Sequence, residues 1–201
     1  HSAKARLSNM RLGVIGDAVE RIASLETPEA VRHACGAELV SIPTEELFAE
    51  IRLGGYPMTE GVRALLEKGY DTAEMDKALA VYGALRRLCD RHRLDALTVR
   101  CFELLKPFQT TGCAALALLN AEGIPAACEG DIKSMVSMAV LWALTGQPGF
   151  MANPSRLDPE RNEVVFAHCT LPLSMPVCCS LTTHFESGLG VALAGELPLG
   201  P

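Results

Sequence analysis

The sequence lacks any run of about eighteen apolar residues, the length that a bilayer's hydrocarbon core demands, so no transmembrane helix and no membrane partner are expected. Its opening, HSAKARLSNMRLG, has no apolar stretch leading to a cleavage pattern, which argues against a signal peptide. Positive charge is not in excess either. The 18 Lys and Arg against 24 Asp and Glu leave a net charge of −6, whereas a nucleic-acid partner needs a basic face to neutralise phosphates. No CxxC pair occurs among the eight cysteines. Cys35, Cys89, Cys101, Cys113 and Cys128 sit singly in apolar runs, as small buried thiols do. The adjacent Cys178 and Cys179 are badly spaced for a shared zinc. Reduced thiols in a cytoplasmic protein are therefore expected. A Gly-x-Gly-x-x-Gly loop is also missing after the β-branched run at residues 11–17, which weighs against a flavodoxin-like ligand or nucleotide domain.

What is present is a packed globular composition. Apolar residues make up 49% and charged residues 21% of 201, enough for one good-sized domain or one domain and the start of another. Residues 11–17 read as a strand stopping at Gly16 and Asp17. Thr27 and Pro28 then offer an N-cap and a first-turn proline for a helix ending near Gly36. Residues 38–43 read as a second strand, with a helix opening at Thr44, where Glu45 and Glu46 suit the positive end of the dipole. Helices are expected over 59–68 and 72–91. The second carries Met75, Leu79, Tyr82, Leu85 and Leu88 as a core-facing stripe and Lys77, Arg86, Arg87, Arg91 and Arg93 as a solvated face.

Residues 94–103 read as a third strand, apolar on both faces as in a parallel sheet. A helix over 110–122 stops at Gly123, and residues 124–128 form a fourth strand. The helix over 131–145 is expected to bury Met135, Met138, Leu141 and Trp142. This strand–helix alternation implies an α/β fold, a doubly wound parallel sheet of Rossmann-like type with right-handed crossovers, over residues 1–147. Residues 148–201 change character. Turn material at 147–149, 153–154 and 158–159 separates short strands at 164–168, 176–181 and 189–193, the expected start of a β-rich domain.

Strand ends concentrate the groups with chemistry. Arg100, Cys101 and Glu103 close the third strand, and Glu129 and Asp131 close the fourth. Neighbouring strands would set Glu103 across a crevice from those carboxylates, a set able to hold Mg²⁺ or Mn²⁺ through oxygen or to act as acid and base. Solvated loop carboxylates are the plainer reading. His168, followed by Cys169, and His184 are candidate ligands or substrate donors, or simply satisfied core histidines. Thr110 to Cys113 could present free helix-start amides to an anion, or be no more than a capped helix start.

Residues 123–131, GIPAACEGD, with 135–144, NEVVFAHC at 162–169 and THFESG at 183–188, resemble the central to C-terminal portion of L-fucose isomerase-like proteins in the fucose/arabinose isomerase superfamily. Weaker likeness extends over 11–16 and 98–102. The resemblance implies a metal-dependent aldose–ketose isomerase, in which Mn²⁺ holds the sugar's carbonyl and adjacent hydroxyl while carboxylates move a proton through an ene-diolate. Asp131 matches the family's metal-binding aspartate. The family's metal glutamate has no match, because alignment back from Asp131 reaches Thr111, Gly112 and Cys113. The metal histidine falls in the family's C-terminal domain, beyond Pro201.

The expectation is thus a sugar isomerase-like chain, part of a longer enzyme or a shortened homologue. Asp131 and Glu103 would be the catalytic and metal residues, with Arg100, Glu129 and His168 binding substrate. Mn²⁺ or another divalent cation would be the cofactor, a small sugar the partner, and a homo-oligomer the assembly. The alternative is a non-catalytic carbohydrate-binding or regulatory domain on the same fold, favoured by the missing acid near Cys113.

Overall fold

A computed structural model describes residues 3–16 and 27–198. Asp17, read as part of a turn, and the tail at 199–201 lie outside the described residues. A short helix α1 (Ala3–Leu7) precedes β1 (Arg11–Ile15), α2 (Pro28–Cys35), β2 (Glu38–Ile42), α3 (Thr44–Leu53), α4 (Glu60–Glu67), α5 (Thr72–His92) and β3 (Ala96–Val99). After a 3₁₀ turn (Cys101–Leu104) come α6 (Leu105–Phe108), α7 (Cys113–Ala121), β4 (Ala126–Ala127) and α8 (Ile132–Thr145). Four strands follow: β5 (Asn153–Asp158), β6 (Glu163–Ala167), β7 (Cys178–Thr182) and β8 (Ala192–Glu196).

The first four strands form one parallel sheet in the order β2-β1-β3-β4. All of β3 and nearly all of β1 is buried, so helices must cover both faces. α5 packs with α3 and α7, while α1 packs with α8. The α/β sheet expectation holds. Helix ends follow local chemistry: Thr27 Oγ1 accepts from the Ala30 amide at 3.1 Å, with Pro28 opening α2. The α5 helix admits a close neighbour at Gly83, where an added Cβ would stand 2.0 Å from the Gly55 carbonyl oxygen.

Several expectations need correction. β3 ends at Val99, because the chain turns there into the 3₁₀ segment that buries Cys101 and Leu104. Arg100 and Glu103 therefore stand on a turn, not on a strand. β4 has only two residues. Pro125 accepts from the Leu97 amide at 2.9 Å but has no amide to donate. The outer side of Ala126 is closed by Asn120, whose side chain both donates to and accepts from its backbone at 2.9 Å. α7 starts at Cys113, leaving Thr110 and Thr111 ahead of it.

In α8 the buried side is Ile132, Met135, Met138, Ala139 and Ala143. Leu141 falls off that three- and four-residue spacing and is exposed, and Trp142 is half-buried. The cations of α5 are not a plain solvated face. Arg87 Nε meets Glu50 Oε2 at 2.6 Å and its Nη2 donates to the Glu50 carbonyl at 2.7 Å. Arg91 pairs with both Glu46 and Glu50, and Arg86 reaches Glu122 at 3.2 Å.

Residues 153–158, read as containing a turn, form a strand instead. They pair antiparallel with β6, whose β-branched residues favour extension. This ribbon is exposed along almost its whole length, Leu157 and Phe166 included. The later strands are displaced by one to three residues from the expected ranges, giving β7 paired antiparallel with β8. The approach to β8 joins the sheet unit, since the Ala114 amide donates to the Val191 carbonyl at 3.0 Å. Leu171, Val191 and Leu193 enter the same core as the sheet's residues. Among the described residues, no helix is long and apolar enough to cross a membrane.

Candidate functional site

Parallel strands deliver their C-terminal ends to one rim, where α/β sheets bind ligands. With β1 between β2 and β3, the order reverses beside Gly16. A cavity of about 1060 Å³ lies there, lined among others by Gly16, Ser41, Thr44, Phe102, Glu103 and Lys106. Glu103 is held from two sides: the Thr44 hydroxyl donates to Oε2 at 2.6 Å, and Arg100 Nη1 lies 3.1 Å from Oε1. Phe102, one residue earlier, meets the His184 ring edge-on with centroids 6.1 Å apart. The turn after β3 thus links the cavity to the β-rich segment.

Asp131 is the N-cap of α8. Its Oδ1 accepts from the Ser134 amide at 3.0 Å and its Oδ2 from the Ser134 hydroxyl at 2.6 Å. Glu129 sits two residues earlier in a left-handed conformation, φ 64°, unusual for a side chain with a Cβ and suited to a site that aims a group. Burial first, then the charges of Asp131 and Glu186, push its carboxyl above the ordinary range. His168 Nε2 lies 3.9 Å from Glu129 Oε1.

Burial, followed by the influence of His184, pushes His168 below its ordinary value, so the imidazole is neutral near pH 7. Its Nδ1 is 2.9 Å from the Thr170 hydroxyl and 3.8 Å from the Cys169 thiol. Both neighbours can donate to Nδ1, and Nε2 faces Glu129. A carboxyl with a raised value thus stands beside a neutral imidazole at the sheet's rim.

A second cluster lies beneath. Cys113, Cys169 and His184 place their ligand atoms within 4.8 Å of one another, all three buried. This group can hold a metal ion. A hydrogen bond with Cys169 lowers the Cys113 thiol and raises the Cys169 thiol. Nearby, Cys101 Sγ and Cys128 Sγ are 2.7 Å apart. A hydrogen bond to Cys101, with burial, keeps the Cys128 thiol protonated.

The sequence-predicted residues are therefore gathered in two sets, Arg100 with Glu103 and Glu129 with His168, while Asp131 is committed to α8. The expected Mn²⁺ ligands from this chain are Glu103 and Asp131. Among the described residues they belong to no group of three neighbouring ligands, and neighbours satisfy both carboxylates. Sequence reasoning missed the thiol–imidazole cluster, whose members stand far apart in the chain and share no motif spacing.

No family model matches the chain. A sulfoquinovose isomerase of Clostridium sp. (strain MSTE9) is 28% identical over 176 residues, covering 84% of this chain and 38% of the relative. Sulfoquinovose isomerases of Priestia aryabhattai and Alkalicoccus urumqiensis are 25% and 24% identical over 171 and 172 residues, covering 81% and 82% of this chain and 38% and 39% of those relatives. The chain is similar to sulfoquinovose isomerases. It spans about two fifths of the length of these curated relatives. The similarity supports the isomerase reading of the sequence, with relatives named for sulfoquinovose and not for L-fucose.

Proposed function

We propose that the chain supplies proton-transfer machinery to a cytoplasmic, homo-oligomeric aldose–ketose isomerase acting on a sugar of the sulfoquinovose type. The observation that carries this reading is the Glu129–His168 pair at the sheet's C-terminal rim. Interconversion of an aldose and a ketose breaks the C2–H bond and leaves its electron pair in an ene-diolate. A proton is then returned at C1. A carboxylate with raised pKa is a better base than an ordinary one near neutrality. Glu129 takes the C2 proton and returns it at C1, while His168 Nε2–H gives its proton to O1, where negative charge develops, and Nε2 recovers one from the C2 hydroxyl as that becomes the ketone carbonyl. Arg100 and Glu103 bind hydroxyls at the cavity edge. Asp131 sets the carboxylate environment of Glu129.

The second reading, a sugar-binding domain without turnover, is favoured by Asp131, whose two oxygens are both spent on Ser134. The two readings separate when sulfoquinovose is added to the protein bearing this chain and ketose formation is followed by NMR. The enzyme reading expects product, with Glu129→Gln slower by about 10² to 10⁴-fold. Saturable sugar binding with no product would select the second.

A further inference from the structure

The cluster of Cys113, Cys169 and His184 differs in kind from the oxygen-rich set expected for Mn²⁺. Cys113 opens α7, Cys169 follows β6, and His184 follows β7, so the three side chains arrive from separate parts of the chain. Relative exposures are 1%, 8% and 5%, and the ligand atoms span no more than 4.8 Å. Zn²⁺ ligands at bond lengths of roughly 2.0–2.3 Å stand about 3.5–3.8 Å apart around a tetrahedron, so small side-chain adjustments close the set on one ion.

Three further observations point to an ion. Ser187 Oγ lies 3.0 Å from His184 Nδ1. The Ser187 amide donates to the same Nδ1 at 3.3 Å, and these two contacts fix the ring's orientation beside the thiols. Among the described residues the buried Thr110 hydroxyl, three positions before Cys113, has no hydrogen-bond partner, and the Thr111 hydroxyl acts on the Cys113 thiol, so polar capacity stands beside the thiols. Charge also balances: two thiolates and a neutral imidazole around a divalent ion carry no net charge, which limits the cost of burial.

We propose that Cys113, Cys169 and His184 form a binding site for a thiophilic divalent ion of the Zn²⁺ class. Sulfur and imidazole ligands select Zn²⁺ over Mn²⁺, which prefers oxygen. The ion's place is structural. It ties the segments following β6 and β7 to the start of α7, and so fixes Cys169, the neighbour of His168. Binding displaces a proton from each thiol, with no oxidation or reduction.

Cobalt(II) serves as the spectroscopic probe on metal-stripped protein in reductant. The expected result is one equivalent bound with a thiolate-to-cobalt charge-transfer band and tetrahedral d–d bands, displaced by Zn²⁺ and not by Mn²⁺. Cys169→Ser should lose the charge-transfer intensity from one sulfur, and Cys178→Ser, at an exposed thiol, should leave the spectrum unchanged. Circular dichroism confirms that each variant is folded. If Cys169→Ser does not fold, His184→Asn replaces it and should weaken cobalt binding at least tenfold. A spectrum without thiolate character, or one unaltered in a folded Cys169→Ser or His184→Asn protein, overturns the assignment.

Discussion

Glu129 Oε1 and His168 Nε2 face one another at 3.9 Å, a carboxylate pushed upward and an imidazole pushed downward. In most exposed pairs of this kind the opposite charges pull the two values apart and lock an ion pair. Here burial is the first cause of both shifts, and the two values move towards one another. The arrangement brings together residues from the end of β4 and the end of β6.

The acid limb of activity should report Glu129. A general base must be ionised, so turnover falls as pH drops through its folded pKa, which stands above the ordinary 4.5. Burial is the first cause, with Asp131 and Glu186 adding repulsion. Glu186→Gln removes one repelling charge and should move the acid limb of kcat/KM to lower pH. A limb that stays put would detach Glu129 from the rate.

Asp131 can be divided into cap and charge. Asn caps helices about as well as Asp, so Asp131→Asn should leave the unfolding midpoint nearly unchanged, while Asp131→Ala should cost about 1 kcal/mol. Because Asp131 also raises Glu129, Asp131→Asn should shift the acid limb downward. Denaturant melts and pH profiles of both variants check the two halves separately.

Gly83 tests the packing of α5. Alanine would gain about 1 kcal/mol of helix propensity, but its Cβ would stand 2.0 Å from a backbone carbonyl that cannot simply rotate away. The net expectation for Gly83→Ala is a loss of about 1–3 kcal/mol, read by urea unfolding. Stabilisation would show that the 54–56 loop does not approach the helix so closely.

Glu50 gives the fold a pH dependence of known sign. Hydrogen bonds from Arg87 and then Arg91 hold its carboxyl below the ordinary range. A depressed carboxylate stabilises the fold above its unfolded value, near 4.5, and that contribution is lost as pH falls through the folded one. Glu50→Gln should lower the thermal midpoint at pH 7 and flatten its fall on acidification. Parallel melting curves for the two proteins would contradict the ion-pair account.

The sheet was legible in the sequence because its signals are local. A β-branched run ending at Gly16, the cap at Thr27 and the capping Asp131 each act within a few residues. Strand ends were less so. Pro125 and the side chain of Asn120 shorten β4, and the Asn120 contribution needs tertiary contact. The rim was anticipated as a place, with Glu129 and His168 as substrate residues, but their pairing depends on β6 returning to β4. The cysteines were read singly as buried thiols. Cys113 and Cys169 become partners only when the segment after β6 docks along α7, where the Leu173 amide donates to the Ala117 carbonyl, a contact no spacing encodes.

Isomerisation of sulfoquinovose in D₂O tests the central claim most directly. Proton transfer through Glu129 predicts ketose carrying solvent deuterium at C1, with both turnover and labelling lost in Glu129→Gln. Ketose formed at the same rate by Glu129→Gln, or formed with the substrate hydrogen wholly retained, would contradict the account.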